Sequence, residues 1–106
     1  MPHEPVTMQT IRRDLREIRY YYAKQKHLDN VTASIAENVI SEKVSRYSEA
    51  IGKAPIRLYD LYVMLYTQNN TQAALAYDWD YSEDYIRQMN RQLCEYLYQY
   101  FNGGES

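Results

Sequence analysis

Apolar residues recur at intervals of three and four positions along most of the chain, and this spacing restricts the fold more than any other feature. The first run comprises Ile11, Leu15, Ile18 and Tyr22, and the same spacing continues to the polar residue Gln25. These positions line one face of a helix, because an α-helix turns once in about 3.6 residues. Three Gly and three Pro among 106 residues are too few turn residues for an all-β fold. We therefore expect one all-α domain of about five helices, with flexible tails at residues 1–9 and 102–106.

Residues 10–52 contain two helical patterns of nearly equal length. The first begins near Thr10, and the turn-forming segment HLDNVT at 27–32 separates it from the second. Thr32 or Ser34 is suited to cap the second helix. Its apolar positions are Ile35, Val39 or Ile40, Val44, Tyr47 and Ile51. Helices of similar length with a short connection predict an antiparallel hairpin, although such narrow apolar stripes also suit pairing across a homo-oligomer.

Residues 53–101 contain three further helical patterns, which together have the dimensions of a trihelical helix-turn-helix domain. Thr71 and Ser82 are suited to cap the fourth and fifth helices, and Asp80 occupies the sharp turn between them. Asp tolerates the left-handed backbone of such a turn, although Gly is the usual residue. The positions expected to face inward are Leu58, Leu61, Tyr62 and Leu65 in the third helix, Ala74, Leu75 and Trp79 in the fourth, and Ile86, Met89, Leu93, Leu97 and Tyr100 in the fifth.

The fifth helix has an outer face that suits the major groove of DNA. The helical repeat of about 100° per residue places its polar residues opposite the buried stripe. The residues expected to contact bases are Tyr85, Arg87, Gln88 and Arg91. Arg pairs with guanine edges or phosphates, and Gln pairs with adenine, whereas Ser82 at the start of the helix is suited to hold a phosphate. The same residues also suit the solvated face of any amphipathic helix.

The segment NNTQAALAYDWDYSEDYIRQMNRQL, residues 69–93, resembles the helix-turn-helix of sigma factor region 4. The positions that fit that pattern are Thr71, Leu75, Ala76, Trp79, Tyr81, Ser82, Tyr85, Ile86, Arg87, Arg91 and Leu93. Asp80 departs from the usual Gly of the pattern, and Ala73 departs from the usual Glu. Together with LREIRYYYAKQK and KAPIRLYDLYVMLY upstream, the segment resembles small phage and prophage regulators of the ArpU and RinA type. The resemblance implies activation of phage late genes in a bacterial host cell, with double-stranded DNA and RNA polymerase as partners.

The charge distribution argues against strong DNA binding by the helix-turn-helix segment alone. Residues 60–106 contain two basic and seven acidic residues, a net charge of −5, whereas residues 1–59 contain ten basic and seven acidic residues, a net charge of +3. DNA affinity comes largely from the neutralisation of phosphates by Lys and Arg. We therefore expect phosphate contacts from the first helix, a dimer that strengthens a weak site, or a domain that contacts RNA polymerase more than DNA. The candidates for phosphate contacts are Arg12, Arg13, Arg16, Arg19 and Thr71.

The rest of the sequence argues against several other classes of function. It contains no Gly-rich phosphate loop, no nucleophile with a patterned base and no spaced metal-ligand cluster, so we expect no enzyme activity, no metal and no cofactor. The single cysteine, Cys94, excludes an internal disulfide, and His3 and His27 lie far apart. No apolar run approaches the roughly 18 residues that span a bilayer, and the N terminus lacks the pattern of a signal peptide. These features predict a soluble cytoplasmic protein with no membrane partner.

Two alternatives to a DNA-binding regulator fit the sequence. The first is a helical protein–protein interaction module, which the acidic C-terminal half and the thirteen tyrosines favour. The second is a small subunit of a phage DNA-packaging machine, in which a helix-turn-helix is also joined to an oligomerising helical part. Retention of DNA by the purified protein separates the regulator from the interaction module, and a ring of many copies would indicate the packaging subunit.

Overall fold

The computed structural model describes residues 6–25 and 35–103. Within these two ranges the secondary structure is entirely helical and contains no strand. The helices are α1 (Met8–Gln25), α2 (Ile35–Gly52), α3 (Ile56–Tyr62), α4 (Gln72–Trp79) and α5 (Glu83–Phe101), and α3 continues directly into a π-helical turn, Val63–Thr67. The prediction of an all-α fold with about five helices is confirmed. None of the described helices is both long and apolar enough to cross a membrane.

Helix α1 begins at Met8 rather than near Thr10, because Thr7 caps it. The Oγ1 atom of Thr7 accepts a hydrogen bond from the Thr10 amide at 3.1 Å. The carbonyl oxygen of Thr7 accepts the first helical bond, from the Ile11 amide at 3.0 Å. The helix thus extends into residues that were expected to form a tail.

Val6 and Asn102, which belong to the two predicted tails, are hydrogen-bonded to each other. The Val6 amide donates to Oδ1 of Asn102 at 3.0 Å, and Nδ2 of Asn102 donates to the Val6 carbonyl oxygen at 2.9 Å. These bonds fasten the start of α1 to the end of α5. The predicted features that lie outside the described residues are the tail segments 1–5 and 104–106, the connection 27–32, the caps Thr32 and Ser34, and the side chains of Ile35 and Val39.

All five helices contribute to one hydrophobic core. Its buried residues are Ile11, Leu15 and Ile18 from α1, Val44, Tyr47, Ala50 and Ile51 from α2, Leu58, Leu61, Tyr62 and Leu65 from α3 and the π-helical turn, Leu75 and Ala76 from α4, and Ile86, Met89, Leu93, Cys94 and Leu97 from α5. The inward positions predicted for α3 and α5 are therefore buried, with Tyr100 half-buried against the core. Because α1 packs against α5 and the π-helical turn as well as against α2, the predicted hairpin and the helix-turn-helix share this core.

Two positions that were predicted to face inward are exposed. Ala74 of α4 faces solvent, and Ala76 is buried instead. Leu75 is buried and Trp79 is half-buried, so these two residues define the inner face of α4. With about 100° between successive residues, Ala76 lies nearer to that face than Ala74 does. Gln25 is also exposed, because it stands at the last position of α1.

A buried polar cluster joins α1 to α2. Asp14 of α1 is only 5% exposed, and its Oδ2 atom accepts a hydrogen bond from the Tyr47 hydroxyl at 2.7 Å. Lys43 of α2 lies 2.9 Å from the other carboxylate oxygen of Asp14 and also donates to Glu17. Burial, together with the bond to the Asp14 carboxylate, raises the pKa of Tyr47 above the ordinary tyrosine value. The cluster pairs the buried carboxylate with a cation and fixes α1 on α2.

Arg19 fastens α1 to the connection between α3 and α4. Its Nε atom donates to the Leu65 carbonyl oxygen at 3.1 Å, and its Nη2 atom donates to the Asn69 carbonyl oxygen at 3.0 Å. Asn69 returns a bond from Nδ2 to the Arg19 carbonyl oxygen at 3.1 Å. Asn69 has a φ of 61°, a left-handed conformation that Asn adopts more readily than most residues. This set of bonds among Arg19, Leu65 and Asn69, here termed the Arg19 clamp, positions α1 beside the helix-turn-helix.

Candidate nucleic-acid interface

A sharp corner at Asp80 joins α4 to α5. Asp80 has φ 63° and ψ 42°, in the left-handed region that was predicted for this residue. The Tyr81 amide donates to the Ala76 carbonyl oxygen at 2.9 Å, and the Asp80 amide donates to the Tyr77 carbonyl oxygen at 3.3 Å. These two bonds form a Schellman motif, which satisfies carbonyl groups at the end of a helix.

The two predicted caps hold the starts of α4 and α5. Oγ1 of Thr71 accepts a hydrogen bond from the Ala74 amide at 3.0 Å, and Oγ of Ser82 accepts one from the Tyr85 amide at 3.1 Å. Each cap satisfies an amide that has no partner within its own helix. The caps and the corner together determine how α5 projects from α4.

The outer face of α5 carries most of the residues that were predicted to contact DNA. Arg87, Gln88 and Arg91 are exposed, and so is Ser82 at the start of the helix. Arg87 pairs with Asp84, and the two side chains are 54% and 80% exposed. An exposed ion pair three residues apart on a helix is worth about 0.2 to 0.5 kcal/mol, so a phosphate or a base edge can displace Asp84.

Tyr85 lies on the flank of α5, where Arg57 of α3 holds it. The Arg57 guanidinium donates to the Tyr85 hydroxyl and lies 5.8 Å from the centroid of the Tyr85 ring. The ring of Tyr81 packs against the Tyr85 ring, with 4.6 Å between the two centroids. Tyr85 is therefore half-buried, and Arg57 adds a cation to this flank of the helix.

A groove between α1 and α5 brings four arginines together. Arg12 and Arg16 lie on successive turns of α1, and Arg87 and Arg91 lie on successive turns of α5. The groove has a volume of about 360 Å³ and opens to solvent. Its other lining residues are Leu15, Tyr66, Gln72, Asn90 and Cys94, none of which is acidic. We call this cavity the arginine groove.

Two titratable groups of the arginine groove keep their protons near neutral pH. Tyr66, from the π-helical turn, donates from its hydroxyl to Oδ1 of Asn90 at 2.6 Å. Burial raises the pKa of Tyr66 to about 12, although the bond to Asn90 lowers it in part. Burial also raises the pKa of the Cys94 thiol, against the opposing effect of the nearby Arg12 guanidinium. Neither group therefore adds negative charge beside the arginines.

The other candidates for phosphate contacts do not line the arginine groove. Arg19 donates to backbone carbonyl oxygens in the Arg19 clamp. Arg13 is exposed and lies 3.7 Å from a carboxylate oxygen of Asp14. Thr71 uses its hydroxyl oxygen to cap α4. Of the four arginines that the sequence places on the first helix, two are therefore set beside α5.

The arginine groove concentrates positive charge in a chain whose C-terminal half is acidic. Residues 60–106 carry a net charge of −5, but α1 supplies two cations to the side of α5 that bears its own two arginines. Glu83 and Asp84 stand in the first turn of α5, where the positive end of the helix dipole stabilises them. The sign of the charge in the groove is thus opposite to that of the whole chain.

The sequence contains no local signal for Arg57, Tyr66, Gln72 or Asn90, because their roles depend on how distant helices pack. A partial signal for the groove was present. Each pair of groove arginines is spaced by four residues, and in α1 each directly follows a buried apolar residue. Such a pair borders the apolar stripe of its helix, so two bordering pairs can meet when the stripes pack together.

The polar groups of the interface are guanidinium, amide and hydroxyl groups, which are suited to bind anions. Among the described residues, no group of three or more His, Cys, Asp or Glu side chains is placed to hold a metal ion. No protein-family model, no curated protein and no solved structure matches this chain.

Proposed function

We propose that this chain binds double-stranded DNA by inserting α5 into the major groove. The observation that carries the proposal is the arginine groove, which sets two arginines of α1 beside two arginines of α5. In helix-turn-helix proteins the second helix contacts base edges, while neighbouring elements contact the backbone. In this arrangement Gln88 contacts a base edge, whereas Arg87 and Arg91 of α5 contact phosphates together with Arg12 and Arg16 of α1.

We further propose that the DNA-binding activity serves transcription regulation in the cytoplasm of a bacterial host cell. The resemblance of residues 69–93 to sigma factor region 4, and of the longer segment to phage regulators of the ArpU and RinA type, supports this role. The caps at Thr71 and Ser82 and the left-handed corner at Asp80 are the local features that such a helix-turn-helix needs. Activation of late genes, with RNA polymerase as a second partner, is the specific form of the proposal.

The direct test is recovery and sequencing of DNA that the purified chain retains, followed by binding measurements at several salt concentrations. Arg87→Ala with Arg91→Ala should weaken binding and lower the slope of log affinity against log salt by up to about 1.8, since each phosphate contact contributes about 0.9. Arg46→Ala with Lys53→Ala is the matched control, because it removes equal charge from exposed positions outside the groove. Equal retention of DNA by the wild type and both variants would contradict the assignment of α5.

A helical protein-interaction module is the second candidate, and exposed tyrosines near the corner favour it. Tyr77 is 86% exposed and Tyr81 is 48% exposed, with Asp78 and Asp80 beside them in the sequence. Tyr is enriched at protein interfaces, where its ring is buried and its hydroxyl finds a partner. A purified chain that retains RNA polymerase but no DNA would support this candidate, and a ring-shaped assembly would point to DNA packaging.

A further inference from the structure

We propose that the arginine groove is a preformed site for a chain of two or more consecutive phosphates, held between α1 and α5. Arg12 and Arg16 contact the chain from one side, and Arg87 and Arg91 contact it from the other. The inference rests on the proposed function for its biological setting, and it names the ligand chemistry of the groove. Two sources supply such a chain, the backbone of a nucleic acid and a free polyphosphate such as that of a nucleotide.

The charge of the groove calls for more than one phosphate group. A free phosphate ion carries about 1.5 to 2 negative charges near neutral pH and a backbone phosphate of a nucleic acid carries about one, whereas the four guanidinium groups carry four positive charges. No carboxylate is among the residues that line the groove, although the exposed Asp84 pairs with Arg87 from outside it. Each guanidinium presents a planar fork of donors that fits two phosphate oxygens. A single phosphate would leave part of this charge and several donors unpaired, whereas a chain of phosphates reaches the arginines of both helices.

Uncharged donors extend the site. The Tyr66 hydroxyl bonds to Oδ1 of Asn90, which leaves the Nδ2 group of Asn90 to donate to a ligand. Gln72 also lines the groove and is the first residue of α4, where backbone amides and the helix dipole favour anions. These groups complement phosphate oxygens without adding further charge.

Helix α1 is held in place by contacts that do not involve the groove arginines. The Arg19 clamp ties α1 to the α3–α4 connection, and the bond between Tyr47 and Asp14 ties α1 to α2. The volume of about 360 Å³ lies at the lower end of the range of roughly 300 to 1,000 Å³ for small-molecule sites. Neither of these contacts is made by Arg12 or Arg16.

The first experiment titrates the full chain with inorganic tripolyphosphate and, separately, with orthophosphate, by isothermal titration calorimetry at low ionic strength. We expect tripolyphosphate to bind, and orthophosphate to bind at least about tenfold more weakly, because the longer anion engages both pairs of arginines at once. Equal affinity for the two anions, or no binding of tripolyphosphate, would overturn the proposal.

The second experiment compares two variants that have the same net charge. Arg12→Gln with Arg16→Gln should weaken tripolyphosphate binding about tenfold, because two charge-assisted contacts are lost. Arg46→Gln with Lys53→Gln, at exposed positions outside the groove, should change the affinity for tripolyphosphate less than about twofold, because exposed charges are screened. Arg12→Lys with Arg16→Lys keeps the charge but removes the planar guanidinium donors, so its affinity for tripolyphosphate should lie between those of the two Gln variants. Equal weakening by the two Gln variants would indicate diffuse attraction to net charge and would refute the site.

Binding of DNA and ATP separates the two sources of the phosphate chain. If the DNA backbone occupies the groove, Arg12→Gln with Arg16→Gln lowers the salt slope of DNA binding by about 1.8. An unchanged slope, with tripolyphosphate and ATP binding both lost, assigns the groove to a free polyphosphate. A chain that binds DNA but not tripolyphosphate would contradict the phosphate-chain site and would leave the proposed DNA-binding function intact. A chain that binds tripolyphosphate but not DNA would support the site and contradict the proposed function.

Discussion

The Arg19 clamp allows a quantitative test of how α1 is positioned. Arg19→Met removes the guanidinium group and keeps most of the aliphatic stem, so it isolates the hydrogen bonds from the packing. The wild-type side chain donates to the Leu65 and Asn69 carbonyl oxygens at 3.1 and 3.0 Å. A hydrogen bond involving a charged group contributes about 1.5 to 3 kcal/mol, and partial exposure of this side chain reduces that value. We expect the free energy of unfolding to fall by about 2 to 3 kcal/mol.

Urea unfolding followed by circular dichroism measures this loss. The unfolding midpoint should fall by about 1 to 2 M with an unchanged slope, since such slopes are about 1 to 3 kcal/mol per M for small domains. Arg13→Met is the control on the same helix, because Arg13 is exposed, and its effect should stay within about 0.5 kcal/mol. Arg19→Lys should lose an intermediate amount, because one ammonium group does not reproduce the planar fork. Equal losses in Arg19→Met and Arg13→Met would refute the clamp.

Three further predictions concern the corner, the cap of α5 and the groove. Asp80→Gly should raise the free energy of unfolding by about 0.5 to 1 kcal/mol, because Gly adopts the left-handed backbone at φ 63° without strain. A lower free energy of unfolding in urea would show instead that the Asp80 side chain stabilises the corner. Ser82→Ala should lower the free energy of unfolding by about 1 kcal/mol, because the cap of α5 is lost, whereas Gln88→Ala, at an exposed position within the same helix, should not. Similar urea midpoints for the two variants would contradict the capping role of Ser82. Burial raises the pKa of Tyr66 from 10.0 to about 12, so its protonated form is favoured in the folded state. The stability that the protonated Tyr66 hydroxyl contributes is complete below pH about 10 and is lost as the pH rises towards 12. The stability of the wild type should therefore fall more steeply across that window than the stability of Tyr66→Phe. Identical pH profiles of the two proteins in thermal unfolding would exclude this contribution.

The local features of the fold were predictable because short-range rules determine them. A Thr and a Ser ahead of amphipathic segments indicated the caps of α4 and α5, and both accept the expected amide bonds. Asp80 was expected in the left-handed region because a corner between two capped helices needs that conformation. The spacing of Leu58, Leu61 and Leu65 likewise identified a buried face, because burial follows the helical repeat.

The arrangement of the site was less predictable, because it depends on contacts between distant segments. Arg12, Arg13, Arg16 and Arg19 look equivalent in the sequence, yet two line the groove, one is exposed elsewhere and one is bound to backbone carbonyl oxygens. The difference arises from how α1 rotates against α5 and the π-helical turn. No local pattern specifies that rotation, because it follows from the packing of the whole core. The exposure of Ala74 has a similar origin in the packing of α4.

Trp79 gives the corner a built-in spectroscopic reporter. It is the single tryptophan of the chain, stands at the last position of α4 directly before Asp80, and is half-buried against the core. Its fluorescence therefore reports the environment of one junction, whereas the emission of thirteen tyrosines averages over the molecule. A ligand that shifts the helix-turn-helix relative to the core should change the indole emission, and one that only occupies the groove should leave it unaltered. Unlabelled protein can thus distinguish docking from rearrangement in a single titration.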